Sequence, residues 1–352
     1  MLPPAERRFL WINKISIISL FMVILAGGIV RSTGSGMGCP DWPKCFDRLV
    51  PPTEEAQLPA GYEEKYIAGR KAKNERFASM LDRFGNKELA ERIRSDKSIL
   101  QHEEFNAAKT WTEYVNRLVG AVTGVLLLLC AIFSFTFFKT KRSIFVWSVI
   151  NVIAIGYQAW LGSIVVSTNL MPWIITVHML LALVILGISI YTYFKARSLR
   201  DKDLLINHTS RGIKVLAIFS LLLIVLQVAI GTGVREEIDM ISAAADVPDR
   251  SEWLGEVGEV FDIHRSLALV SAIAIVLLFF VVRSRFASNT HQSRFTNLLL
   301  VLLILQLISA LVLGYFDIPP FAQTAHLVLA CLLFGTQYYL VLLLSKMARK
   351  KI

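Results

Sequence analysis

Charge is what this chain has least of. Asp, Glu, Lys and Arg together make 18% of its 352 residues, whereas 55% are hydrophobic and the mean hydropathy is +0.55. Soluble chains carry about a quarter of their residues as charges, so the shortfall excludes a soluble globular protein and implies an integral membrane one. Proline is also missing where it would matter: the 11 prolines fall almost entirely outside the long apolar runs, which argues against a transporter built on helices broken at mid-membrane. No small-residue cleavage site follows the first run, where Arg31-Ser-Thr-Gly stands instead, so that run reads as a retained span and not a signal peptide. Cysteine is down to four residues. Cys130 and Cys331 lie deep in apolar runs and read as small buried residues.

Apolar runs of spanning length, roughly 17 to 25 residues each, lie near 15–30, 113–138, 143–166, 173–194, 212–234, 263–282, 295–314 and 321–345. The expected fold is all-α, with eight transmembrane helices. Basic residues set its orientation: with the N-terminus inside, 19 Lys and Arg fall on the cytoplasmic side, among them the tail from Lys346, while the short connections after Val166 and Gly314 carry none. Both termini are therefore expected in the cytoplasm, in a multi-pass protein of the inner membrane. The net charge of +10 is topogenic, being dispersed over turns, and does not point to nucleic acid. By contrast the outer connection 236–262 holds nine acids against Arg250 alone, and the long outer loop 32–110 balances 13 bases with 13 acids. Part of that loop, for example Asn86-Lys-Glu-Leu-Ala-Glu-Arg-Ile93, suits amphipathic helices lying over the first half.

The chain is written twice. His178 and His326 are 148 residues apart, as are Asn116 and His264, Arg117 and Arg265, and Gln158 and Gln306. Two tandem four-helix bundles follow, residues 1–200 including loop 32–110 and residues 201–352. His102, His208 and His291 fall in loops, where solvated roles suit them. His178, His264 and His326, with Asn116 in the fourth equivalent place, sit near the starts of even-numbered spans at one depth near the outer face. Two imidazoles facing each other at one depth are the axial ligands of a low-spin b-type haem. His264 and His326 are the expected iron ligands of the second half, and His178 of the first. Zinc is the rival metal, but it prefers tetrahedral N and S ligands and this layer has no thiol.

Four arginines remain at the outer ends of spans: Arg31, Arg117, Arg235 and Arg265. A charge there costs about 2 to 3 kcal/mol at full depth, so haem propionates are expected partners, with interfacial snorkelling the simpler reading. Glu113 has Phe261 as its counterpart in the repeat, so the halves are expected to do different jobs. As a bare helix N-terminal charge it would also be favoured by the macrodipole. Cys39 and Cys45 occur in Gly36-Met-Gly-Cys-Pro-Asp-Trp-Pro-Lys-Cys45 on the oxidising face. A disulfide is permitted there, either pinning the loop or exchanging with a periplasmic thiol partner.

Together these residues resemble the haem A synthase family of cytochrome oxidase assembly factors. The motifs are Gly28-Ile-Val-Arg-Ser-Thr-Gly-Ser-Gly36 leading into the cysteine loop, Glu113-Tyr-Val-Asn-Arg-Leu-Val-Gly120, Thr176-Val-His-Met179, Ile263-His-Arg265 and Ala325-His-Leu327. The resemblance covers nearly the whole chain. It implies oxidation of the C8 methyl of haem O to the formyl of haem A by successive hydroxylation. It also implies a resident haem b between His264 and His326, a substrate haem in the first half, a functional glutamate at Glu113 and an outer cysteine pair at Cys39 and Cys45. One departure stands out: the family usually has His where this chain has Asn116. Either the first-half site has decayed, or its iron keeps one free position, flanked by Asn116 and Glu113, where oxygen chemistry is expected; the survival of Glu113, Arg117 and His178 together favours the second. Haem O is the expected substrate, with haem O synthase, an unidentified electron donor, a second copy of the chain and the bilayer as candidate partners. The alternative is a bis-histidine b-type membrane cytochrome that transfers electrons without hydroxylase activity, for which an acid in one half only has no use.

Overall fold

The computed structural model describes residues 3–96, 104–168, 172–201, 204, 210–243 and 250–345. His102, His208 and the tail from Lys346 lie outside them. The described residues form eleven α-helices: α1 (Pro4–Ser32), α2 (Tyr62–Arg83), α3 (Lys87–Ser95), α4 (Ala107–Ser134), α5 (Arg142–Ser167), α6 (Pro172–Arg197), α7 (Arg211–Ala243), α8 (Arg250–Glu256), α9 (Glu259–Arg285), α10 (His291–Tyr315) and α11 (Pro320–Ser345). Eight of these, α1, α4, α5, α6, α7, α9, α10 and α11, are long and apolar enough to cross a membrane. The fold is all-helical, as expected.

Three helices outrun their apolar stretches. Pro4 at the first turn of α1 has no N–H to leave unsatisfied, and the buried Glu6 is held by Arg200 at 2.7 Å, which starts that helix well before residue 15. Asn106 caps α4 by accepting from the Lys109 N–H at 3.1 Å, moving its start from the expected 113 to Ala107. Helix α7 runs on through Arg235-Glu-Glu-Ile-Asp to Ala243. Residues expected in a connection, Asp239 above all, are therefore helical.

Helices α1, α4, α5 and α6 pack as a ring, each against the next, with α6 closing on α1. Helices α7, α9, α10 and α11 pack in the same order, α11 closing on α7. In each ring the second and fourth members, α4 and α6 or α9 and α11, stand diagonally opposite. The rings join through α1 against α11, α6 against α11 and α6 against α7. Helix α11 is the most enclosed span, and its Cys331, Leu340, Leu343 and Leu344 are wholly buried. Gly28 permits the close approach of α1, since a Cβ there would lie 3.1 Å from Thr324 Cγ2. Outward residues such as Leu269, Ile273 and Leu277 of α9 and Val301, Ile304 and Ile308 of α10 are exposed, the apolar surface that a bilayer covers.

Apolar burial separates no helix from lipid, so packing and polar contacts hold the spans together. Asn13 donates to Thr192 at 2.9 Å, Asn151 donates to Ser189 at 2.8 Å and Gln337 donates to the Ala217 carbonyl at 2.7 Å. Each contact is worth about 0.6 kcal/mol on average in a membrane. They tie α1 and α5 to α6, and α11 to α7.

The long connection between the first two spans folds over one ring. Helices α2 and α3 turn at Gly85, whose φ of +86° suits glycine, and their inner faces bring Phe77, Ala78, Leu81, Ala90 and Ile93 onto Leu161, Ile164 and Ile174. The expected amphipathic helices are thus a roof on the ends of α5 and α6. Arg94 fastens it by bonding Glu75 and Asp82, at 3.0 and 2.8 Å.

Candidate functional site

Asn116, His178, His264 and His326 all fall in the first turns of α4, α6, α9 and α11, within roughly three turns of each start. Contacts between starts and neighbouring ends put them at one end of the molecule: Ser32 meets Thr324 at 2.9 Å, Thr176 meets Thr232 at 3.1 Å and Thr110 donates to the Gly38 carbonyl at 2.9 Å. His264 and His326 are on diagonally opposed helices, within electrostatic reach of each other.

Each histidine is set by a glutamine from the preceding span. Gln158 of α5 donates to the His178 carbonyl at 3.0 Å, and Gln227 of α7 donates to the His264 carbonyl at 3.1 Å. Both leave the imidazole to point elsewhere, and Nδ1 of His178 and of His264 are buried without a hydrogen-bond partner. Small residues make room for these rings. A Cβ on Gly231 would lie 3.0 Å from His264 Cε1, and one on Gly162 would lie 3.4 Å from His178 Cε1. His326 differs: Gln306 Nε2 reaches its ring at 3.0 Å from Nε2, and Ser309 Oγ lies 2.8 Å from Nδ1. Asn116 directs Oδ1 toward α1, 3.9 Å from the place of a Cβ on Gly27.

Glu113 is 3% exposed and belongs to a second cluster. One carboxylate oxygen accepts from the Cys39 N–H at 2.6 Å, and the other accepts from Arg117. Arg117 also donates to the carbonyls of Asp41 at 2.5 Å, Lys44 at 3.1 Å and Cys39 at 2.7 Å. The loop it grips is closed by a Cys39–Cys45 disulfide, and both cysteines are buried. Gly38 is required at this spot, because a Cβ would fall 2.5 Å from the Lys109 carbonyl oxygen. Lys73 of α2 sits above the loop, where burial lowers its pKa from the ordinary value against the raising influence of Asp41.

The other three arginines meet carboxylates. Arg31 of α1 and Arg235 of α7 share Asp239, at 2.8 and 2.7 Å, and Arg235 also bonds Gln323. Arg265 is exposed, pairs with Asp262 at 3.1 Å and lies 5.8 Å from the centre of the Phe261 ring. Sequence reasoning grouped the four arginines as equivalents, whereas the structure assigns them to three different settings. It missed Asp239, Gln227, Gly231 and Ser309. Only Ser309, three residues after the recognised Gln306 and so on the same helix face, left a readable signal. Among the described residues no three His, Cys, Asp or Glu side chains are grouped to hold a bare metal ion.

Partly buried histidines on the second and fourth members of two four-helix rings of membrane-spanning length define a class, that of all-helical multi-pass membrane proteins with polar groups held inside the bundle. Comparison narrows the class. The cytochrome oxidase assembly protein family matches residues 10–87 and 84–338, and the chain belongs to that family. Similar proteins include the "Heme A synthase" of Shewanella oneidensis, 22% identical over 84% of this chain and 84% of that one. The "Heme A synthase" proteins of Wolbachia pipientis wMel and Ehrlichia canis are each 23% identical, over 96% and 92% of this chain and 92% and 89% of theirs.

Proposed function

We propose that this protein is a haem A synthase, a membrane oxidoreductase that takes haem O and oxidises its C8 methyl to a formyl group. Family membership and the names of its relatives support this reading. The observation that carries it is the inequality of the two rings. Both have histidines at matched positions, yet among the described residues only the first has a buried carboxylate, and Phe261 stands at the place of Glu113 in the second. A symmetrical electron carrier has no use for that acid, which disfavours the b-type cytochrome reading.

The residues fit haem. His264 and His326 belong to opposed helices, the buried Nδ1 of His264 has no protein partner, and Gly231 leaves its ring unobstructed. These two would hold haem b in residues 201–352, and His178 would hold the substrate in residues 1–200. When bound, haem b supplies a one-electron relay. Each hydroxylation inserts one oxygen atom of dioxygen into a C–H bond and releases the other as water, using two electrons and two protons from a donor of unassigned identity. Glu113 sits beside Asn116 in sequence register, one turn earlier on α4. Its role is to balance positive charge developing on the substrate or to pass a proton, while Arg117 and the Cys39 N–H fix its carboxylate in place. Asn116 leaves one face of the substrate iron without a protein ligand. Arg31 and Arg235, already gathered around one carboxylate, would steady propionates, with Arg265 and Arg117 at the rims. Both termini are placed in the cytoplasm and the histidine layer near the outer face of the inner membrane, consistent with a disulfide at that end.

Co-expression with a source of haem O tests the proposal. Extracted pigment should contain haem A and hydroxylated haem, and Glu113→Ala should abolish both while the second-half haem remains. A preparation that binds haem O but never alters it would overturn the assignment.

A further inference from the structure

Beside the exchanges at Asn116 and Glu113, the register shared by the two rings carries another. Ser309 of α10 is 148 residues from Leu161 of α5, the same interval that separates His326 from His178 and Gln306 from Gln158. The hydroxyl that lies 2.8 Å from His326 Nδ1 therefore has a buried leucine as its counterpart in the first ring. His178 Nδ1 is buried without a partner, and Gln158 is turned to the His178 backbone and not to its ring.

The contacts around His326 suit one placement of its ring proton. Ser309 Oγ lies 2.8 Å from both the Gln306 carbonyl and His326 Nδ1, and with its one hydrogen donated to the carbonyl its oxygen is free to accept from Nδ1. The imidazole proton then resides on Nδ1, and Nε2 keeps its lone pair. The Gln306 amide nitrogen lies 3.0 Å from Nε2 and 3.3 Å from Nδ1, and the shorter of the two contacts is the one this tautomer accepts. For Nε2 to serve as an iron ligand, that amide would have to turn aside. Its own Oε1 is buried without a partner, so little holds it there.

We infer that Ser309 is a positioning residue that makes the second ring's haem site permanent, and that its replacement by Leu161 leaves the first ring's site exchangeable. A histidine that donates its second N–H to an acceptor is oriented, has its tautomer fixed and is a stronger donor to iron, effects that change metal affinity about 10- to 100-fold. A resident cofactor needs that grip. A substrate that must depart as product is better served by an imidazole lacking it. The inference rests on His326 being an iron ligand.

The full-length protein, purified with haem b, tests it through two readouts independent of turnover: the midpoint potential of the low-spin haem and the rate at which apomyoglobin strips it. Ser309→Ala should keep the low-spin spectrum, raise the potential because the weaker donor favours the ferric state less, and speed haem loss about tenfold or more. Ser309→Thr, which restores a hydroxyl, should return both values toward the parent. Unchanged potential and loss rate in Ser309→Ala, or equal defects in Ser309→Ala and Ser309→Thr, would overturn the inference and leave the ligand assignment standing. His326→Ala separates the two: if the low-spin spectrum survives that change, the ligand assignment itself fails.

Discussion

Replacing Arg117 by alanine should loosen the disulfide loop far more than it loosens the bundle. The guanidinium donates to three loop carbonyls and to Glu113, whose side chain is 4% exposed while that of Arg117 is 14% exposed. Breaking a buried ion pair from one side costs about 3 to 5 kcal/mol, because the remaining charge stays in a poorly solvating place. Even the lower figure changes a local opening equilibrium by about 100-fold, at roughly 1.4 kcal/mol per factor of ten. Cys39 is 0% exposed and Cys45 1%, so a reductant reaches the bridge only through such opening. The assay is reduction of purified protein by a water-soluble phosphine, with free thiols trapped by a mass tag over time. Cys39 and Cys45 should be labelled about 100-fold faster in Arg117→Ala, and Arg117→Lys should fall between, since an ammonium cannot span four acceptors. Equal labelling rates in parent and Arg117→Ala would refute the idea that this side chain holds the loop shut.

Three further outcomes follow from the geometry. Gly231→Ala places a methyl 3.0 Å from His264 Cε1, so the ring must move, and the low-spin haem spectrum should broaden or be lost while the helical circular dichroism is kept. Asp239→Asn removes the carboxylate shared by Arg31 and Arg235 and should lower thermal stability by about 1 to 3 kcal/mol in haem-free protein, with a smaller loss once haem is bound, as read by a thermal shift in detergent. Glu75 has its pKa held below the ordinary carboxylate value, chiefly by the hydrogen bond from Arg94. The support it gives the roof is therefore present above the ordinary carboxylate range and is lost as pH falls through the depressed value, so limited proteolysis around Gly85 should accelerate as the pH is taken below the ordinary carboxylate range.

The spans were legible because a bilayer imposes length and apolarity on them directly, and the histidine register because one interval of 148 residues recurs between like side chains. Helix ends were not. The starts of α1 and α4 depend on Pro4 and Asn106, and the extension of α7 carries charges that hydropathy assigns to water. The settings of the arginines were hidden for a related reason. Arg117 finds its acceptors among backbone carbonyls more than 70 residues away, and Arg31 finds Asp239 at a separation of 208, pairings that no local pattern announces. The exchange of Ser309 for Leu161 was in plain view but carried no meaning until the hydroxyl could be seen against the ring.

Helix α11 serves as a shared axle, and this bears on how the chain could be divided. A cut between α6 and α7 would give one fragment for each ring, yet the first would lose the wall that α11 supplies to α1 and α6. Neither fragment should behave as an autonomous enzyme half. Produced together in one membrane they should reassemble, whereas the first made alone would show lipid a seam meant for protein.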